Sequence, residues 1–370
     1  MSFEGIAERL TDVFGRGTLA PIADDEFDEL AGVVFRHQFE TNAAYRSFCE
    51  SRGVTPSGLG SWTEIPPVPA TAFKHVDLIS GDPTRVEATF LTSGTTSGSE
   101  MRGRHSVQSL DLYRAASLPG VQRFLLADLE HLPIVSLIPS MDIQPESSLA
   151  TMMEFAIEAF GDEGSGAWAH PDAGVDTEGV QKSLEELTAS GRPILLAGTA
   201  FALLHFLDRS ATDGWSIELP TGTRLMETGG FKGRSREISR EALYDLIESR
   251  LGIGRDRIVN EYGMTELLSQ FWEPTLEKPG LAMADRHHVA PPWLRTRVVD
   301  PGDLSPVADG DIGILMHFDL ANLGSVAAVL TEDRGRTVKD GIQLLGRQVG
   351  SEPRGCSMTM EDFLRASETR

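Results

Sequence analysis

The sequence predicts an α/β protein: parallel strands alternating with helices, then a smaller β-rich part. Three observations carry this. Short apolar runs alternate with stretches of helical spacing between residues 133 and 260. From about Trp293 that alternation stops, and short apolar runs follow one another, parted by Gly, Asp and Pro. The 370 residues are 40% apolar, enough for one large domain or two smaller ones with a real core.

The elements follow in order. Residues 24–50, DDEFDELAGVVFRHQFETNAAYRSFCE, carry apolar side chains at helical spacing, and Cys49 lies on that pattern as a buried, inert thiol. Ile65–Lys74, IPPVPATAFK, reads as a proline-stiffened extended segment. Pro133–Pro139 is a buried strand and Ser148–Phe160 a helix. Pro193–Ala197 is a strand, Ala200–Asp208 a helix and Thr223–Met226 a strand. Ser239 caps a helix that reaches about Arg250, with Glu241 in its first turn. Arg257–Asn260 is the next strand. Beyond Trp293, TRVVDP, GDIGILMHF, SVAAVLTED and GIQLLGR read as short strands.

Composition narrows the function classes. With 55 acidic against 33 basic residues the formal charge is −22, so the overall field repels nucleic-acid backbones and anionic membranes. An anionic ligand needs a local, well-aimed site. Two cysteines, Cys49 and Cys356, make neither a disulfide scaffold nor a metal-type pair. The N-terminus MSFEGIAERLTDVF is acidic, unlike a secretory signal, and no apolar run nears the ~20 residues of a membrane span. A cytoplasmic protein is the expectation.

Two stretches carry the candidate chemistry. In EATFLTSGTTSG a strand runs into a hydroxyl-rich turn. There Gly94 and Gly98 let the backbone bend, and the hydroxyls of Thr92, Ser93, Thr95, Thr96 and Ser97 can ring an anion. The Walker pattern fails here: Gly98 and Gly103 fit, but Arg104 and His105 replace its Lys and Ser/Thr. In RIVNEYGMTE a strand delivers Tyr262 to a turn at Gly263 and Met264, followed by Thr265 and Glu266. An aromatic face can stack on a base, a hydroxyl can donate to phosphate, and a carboxylate can bind Mg²⁺, which takes oxygen ligands. Between the two lies LMETGGFKGR, where Gly229 and Gly230 allow close approach to a planar ring and Lys232 supplies positive charge. Gly198, Thr199 and Phe201 follow a strand end, where ligands gather in open α/β sheets, and are the candidate pocket for a carboxylate substrate. His287-His288 lacks a third ligand at metal spacing and reads as a loop near the substrate mouth or a packed turn.

In this order, TSGTTSG, the Gly-Gly segment and YGMTE resemble the ANL superfamily of adenylate-forming enzymes. LTEDRG resembles its ribose-binding segment, with Asp333 in the place of the family's Asp, and GIQLLGR its domain junction, with Arg347 in the Arg position. Within the superfamily the chain most resembles the LuxE-type acyl-protein synthetases, through NAAYRSF, IPPVPATAFK and SGTTSG. The resemblance implies an ANL-type large domain over residues 1–345, with layered sheets and helices. A C-terminal segment, 346–370, then carries Cys356 in place of the usual full C-terminal domain.

It also implies the reaction and its residues. A carboxylic acid, a fatty acid in these relatives, reacts with ATP and Mg²⁺ to give an acyl-adenylate. Thr92–Gly98 hold the β- and γ-phosphates, Thr265 the α-phosphate and Glu266 Mg²⁺. Tyr262 and Gly229–Phe231 take adenine, and Asp333 the ribose. Cys356, on a mobile tail, accepts the acyl group and hands it to a partner reductase or another thiol. Two departures stand out. Ser99 and Glu100 follow the loop where the superfamily places a Lys. The second catalytic Lys belongs to the further domain, leaving Lys232 or Arg347 as replacements. The alternatives are adenylation of an aromatic, phenazine-type carboxylate without self-acylation, and a non-catalytic nucleotide-binding regulator.

Overall fold

The computed structural model describes residues 1–92, 102–229, 238–347 and 354–368. Along the chain, α1 (Phe3–Phe14), α2 (Asp24–Thr41) and α3 (Ala43–Ser51) come first. They lead to β1 (Val68–Pro69), β2 (Ala88–Leu91), β3 (Arg104–Val107) and α4 (Leu110–Val121). The middle runs β4 (Ile134–Ser136), α5 (Ser148–Phe160), β5 (Gly166–Ala167), β6 (Ala169–His170), β7 (Gly174–Val175) and α6 (Thr177–Ala189). It continues with β8 (Leu195–Thr199), α7 (Ala200–Thr212), β9 (Arg224–Thr228), α8 (Arg240–Leu251), β10 (Ile258–Tyr262) and β11 (Phe271–Trp272). Last come β12 (Leu294–Val299), β13 (Gly313–Asp319), β14 (Ala328–Val338), β15 (Gly341–Arg347) and α9 (Arg354–Glu368).

The chain divides into two compact units. Unit 1 comprises Met1–Ser117, Met264–Gln270 and Val289–Arg370; unit 2 comprises Leu118–Gly263 and Phe271–His288. Residue 345 is not a boundary between them, since both of its flanks fall in unit 1.

In unit 2 the sheet order is β11-β10-β9-β8-β4-β5, parallel except for β11. Its central strands are buried on both faces, which is why they read as unbroken apolar runs. Each helix starts on a side chain that satisfies a free amide: Ser147 for α5, Asp176 for α6, Thr199 for α7 and Ser239 for α8. The apolar faces of α6, α7 and α8 close on the sheet through Val180, Leu184, Leu203, Leu207, Leu243 and Ile247.

Unit 1 holds the β-rich part. Its sheet order is β1-β14-β13-β12 with β15 also on β14, and only the β1–β14 pair is parallel. Residues 24–50 are two helices, because Asn42 leaves the helical conformation and its side chain accepts the Tyr45 amide at 3.0 Å to start α3. Cys49 is buried on α3, and burial pushes its thiol up to about 12, as an inert core thiol requires. The expected mobile tail is instead helix α9, seated on α3. Phe363 meets Phe48 edge-on at 5.1 Å, and Arg52 lies over the Phe48 ring and pairs with Asp362 at 3.1 Å.

Candidate active site

The candidate residues divide between the units. Unit 1 carries Thr92, Met264, Thr265, Glu266, Asp333, Arg347 and Cys356; unit 2 carries Gly198, Thr199, Phe201, Gly229, Tyr262 and Gly263. Ser93, Gly94, Thr95, Thr96, Ser97, Gly98, Gly230, Phe231 and Lys232 lie outside the described residues.

In unit 1 the hydroxyl-rich stretch connects the two strands of an antiparallel hairpin, β2 and β3. Thr92 forms the hairpin neck. Its amide donates to the Gly103 carbonyl at 2.9 Å, and its hydroxyl accepts the Gly103 amide at 2.8 Å. The Thr92 hydroxyl therefore has a structural duty. The basic residues after the loop are engaged too. Arg102 turns back to the carbonyls of Thr92 (2.7 Å) and Leu91 (3.3 Å), and Arg104 pairs with Asp77 at 2.8 Å.

The turn that follows Tyr262–Gly263 belongs to unit 1. His105 of β3, almost fully buried, donates from Nδ1 to the Thr265 carbonyl at 2.7 Å. Asn322 donates to the Glu266 carbonyl at 2.8 Å. The buried Asp319 carboxylate accepts the amides of Leu268 (3.0 Å) and Ser269 (2.9 Å) and the Ser269 hydroxyl (2.7 Å). The Thr265 and Glu266 carbonyls are both engaged, and the side chains of these two residues bring a hydroxyl and a carboxylate to the turn. These are hard oxygen donors, the chemistry Mg²⁺ takes. Sequence reading missed all three anchors; His105 entered it only as a failed Walker position.

The β14–β15 edge of unit 1 joins two more candidates. Arg347 Nε donates to Asp333 at 3.2 Å, with Asp333 mostly buried and Arg347 mostly exposed. Cys356 packs on the same strand. Its Sγ donates to the Thr331 carbonyl at 3.6 Å, and the Thr331 hydroxyl accepts the Asp333 amide at 3.0 Å. The thiol is 2% exposed.

In unit 2 the ends of β9 and β10 carry a dense polar cluster. Glu261, buried, accepts from the Thr228 hydroxyl, and burial raises its carboxyl to about 7. On the neighbouring register pair, Asn260 donates to Glu227 at 2.6 Å, and Tyr244 donates to the same oxygen at 3.2 Å. Glu273 accepts from Arg240 at 2.7 Å and from Arg286 at 2.9 Å. His288, buried, bonds Asn260 Oδ1 at 2.7 Å, and burial pulls its ring down to about 4. His287 bonds the Asp285 carbonyl, so the pair sits in a packed turn.

Tyr262 is half-buried, its ring against Phe271 at 5.3 Å and His288 at 6.1 Å. Gly229 turns the chain after β9 at φ +72°, a conformation that favours glycine. Gly198 packs closely, since a Cβ there would lie 3.1 Å from Leu203 and 3.3 Å from Leu137. Thr199 spends its hydroxyl capping α7 on the Ala202 amide at 3.1 Å, and Phe201 stacks on His205 at 6.4 Å.

Comparison with known proteins gives consistent results. The chain is 24% identical over 356 residues to the long-chain-fatty-acid–luciferin-component ligase of Aliivibrio fischeri, covering 91% of this chain and 88% of the relative. The protein of the same name from Vibrio harveyi is 21% identical over 346 residues, covering 90% and 86%. Among solved structures, an open conformation of 2-hydroxyisobutyryl-CoA ligase with 2-HIB-AMP and CoA superposes with a TM-score of 0.63 at 16% identity. That match covers 92% of this chain and 79% of the other. The same ligase in its postadenylation state gives 0.64 at 15% identity, covering 90% and 69%. The fold is therefore that of the ANL adenylate-forming enzymes. The profile of the acyl-protein synthetases, LuxE, matches residues 27–365, and the chain belongs to that family of ligases.

Proposed function

We propose that this protein activates a fatty acid as its acyl-adenylate and passes the acyl group to its own Cys356. In the first step a carboxylate oxygen attacks the α-phosphorus of ATP; the bond to the β-phosphate oxygen breaks, and pyrophosphate leaves. In the second, the Cys356 sulfur attacks the acyl carbon, the bond to the AMP oxygen breaks, AMP leaves, and the thiol proton passes to solvent. A partner reductase or another thiol then takes the acyl group. Thr265 positions the α-phosphate and Asp333 the ribose, while the hydroxyl-rich stretch and Lys232 serve the outer phosphates and Tyr262, with Gly229–Phe231, the base. Glu266 would hold Mg²⁺, which neutralises phosphate charge when bound.

One observation carries the reading: Cys356 is seated on the strand that carries Asp333, bonded to Thr331 two residues away. The names of the relatives point to a long-chain acid. Because the thiol is buried, the reading requires the first turn of α9 to lift before acyl transfer.

Carboxylate-dependent pyrophosphate exchange, screened over fatty and aromatic acids, tests the first step. Exchange with a long-chain fatty acid is expected; exchange with aromatic acids alone would replace the substrate class, and none with any acid would sink adenylation. Intact mass after incubation with acid and ATP tests the second. The expected adduct is released by hydroxylamine and absent from Cys356→Ser, which retains exchange. An adduct that survives in Cys356→Ser would refute the carrier role.

A further inference from the structure

Met264–Gln270 is a seven-residue piece of unit 1 whose chain neighbours on both sides belong to unit 2. Its own backbone supplies a single turn bond, from the Leu267 amide to the Met264 carbonyl at 3.0 Å. The rest of its register comes from the three side chains already described: His105 on the Thr265 carbonyl, Asn322 on the Glu266 carbonyl, and Asp319 on the Leu268 and Ser269 amides. Two of these follow one another closely, near the end of β13. The third is different, because His105 sits on β3, two residues beyond the Gly103 that closes the hairpin neck. Phe73 holds the imidazole edge-on at 5.6 Å. A carbonyl only accepts, so Nδ1 carries the proton.

We propose that His105 is a positioning residue: its hydrogen bond to the Thr265 carbonyl ties the hairpin that bears the hydroxyl-rich stretch to the turn that bears Thr265 and Glu266. This rests on the reading that both segments handle the phosphates of ATP. The bond fixes the Thr265 carbonyl against β3, two residues from the hairpin neck at Gly103, before ATP arrives, so no binding energy is spent on holding the turn there. Reacting groups displaced by ~1 Å lose on the order of 100-fold in rate. The effect belongs to kcat, because a misplaced turn still meets ATP but no longer meets the developing charge. Asparagine places an amide nitrogen close to where Nδ1 stands, whereas leucine keeps the volume and removes the donor.

Three proteins decide it: native, His105→Leu and His105→Asn, each confirmed folded by circular dichroism. In pyrophosphate exchange, His105→Leu should lower kcat by about 10- to 100-fold. The KM for the carboxylic acid should stay within about twofold, and His105→Asn should recover most of the rate. Amide hydrogen exchange of residues 262–270 gives a second readout that needs no turnover. Protection should fall in His105→Leu and return in His105→Asn. Native kcat in His105→Leu, or an asparagine variant as slow as the leucine one, overturns the proposal. If the native protein exchanges no pyrophosphate with any acid, the adenylation reading fails instead. The tie itself is then judged by hydrogen exchange, and unchanged protection in His105→Leu overturns it.

Discussion

Glu273→Ala should destabilise the protein by about 3–5 kcal/mol, the cost of stranding a buried charge. Glu273 and Arg286 are 1% and 2% exposed and meet at 2.9 Å, with Arg240 adding a second contact at 2.7 Å. Burial alone would push the Glu273 carboxyl up; Arg240 and Arg286 outweigh it and hold it below its ordinary value. Removing the carboxylate leaves the Arg286 guanidinium among the carbonyls of Ile258 and Arg255, with no counter-charge as close. Glu227 limits the damage for Arg240, since its oxygen is 3.7 Å from Nε and its carboxyl is currently raised by burial. The exposed pair Lys182–Glu186, 3.8 Å apart, is the control, and Glu186→Ala should cost less than about 1 kcal/mol. Urea unfolding measures both. A Glu273→Ala loss no larger than that of Glu186→Ala would show that the cluster relaxes or takes in water.

The same cluster marks the limit of what sequence can show. The alternation of unit 2 was legible because its strands are buried on both faces and its helices open on Ser, Thr or Asp; α5 lies where the apolar spacing put it, Ser148–Phe160. The motif turn was legible for the same local reason, since Thr265 and Glu266 are neighbours in the chain. Its supports were not. His105, Asp319 and Asn322 act on backbone groups far away in sequence, and a histidine in a strand gives no sign of the carbonyl it will meet. Glu227, Glu273 and Arg286 likewise look like surface charges until folding buries them, with Arg240 half-buried against them. The tail carried a signal that was passed over. Cys356, Met360 and Phe363 stand at positions i, i+4 and i+7, the stripe of an amphipathic helix, and all three are buried. Thr92 carries a duty the motif does not announce, because its hydroxyl also accepts the Gly103 amide that closes the hairpin neck.

Lowering the pH from 6.5 to 4.5 should reduce the stability of the protein. Buried histidines drive this, and His37 is pulled down by burial as well. Burial pulls His105 and His288 down to about 4 and His317 to about 3, from the ordinary 6.5. Below pH 6.5 the unfolded chain takes up a proton at each site and the folded chain does not. The stability these neutral rings contribute is therefore complete above 6.5 and lost as the pH falls toward 4. Glu261 works in the other direction. Its carboxyl is raised by burial from 4.5 to about 7, so the folded chain holds a proton that the unfolded chain has released, and burial raises Glu227 and Asp319 in the same direction. The depressed histidines outnumber the raised carboxyls, so unfolding takes up protons near pH 5 and stability falls as the pH falls. The charge of −22 does not reverse the sign in this window, because most carboxylates still carry their charge above pH 4.5. Urea titrations at half-unit steps give the slope. His317→Asn keeps a polar group beside the Thr296 hydroxyl, 2.8 Å from the native ring, and removes one titrating site. It should flatten the slope by about one proton per molecule. A stability that is flat or rises between pH 6.5 and 4.5 would mean that these imidazoles reach water in the folded protein.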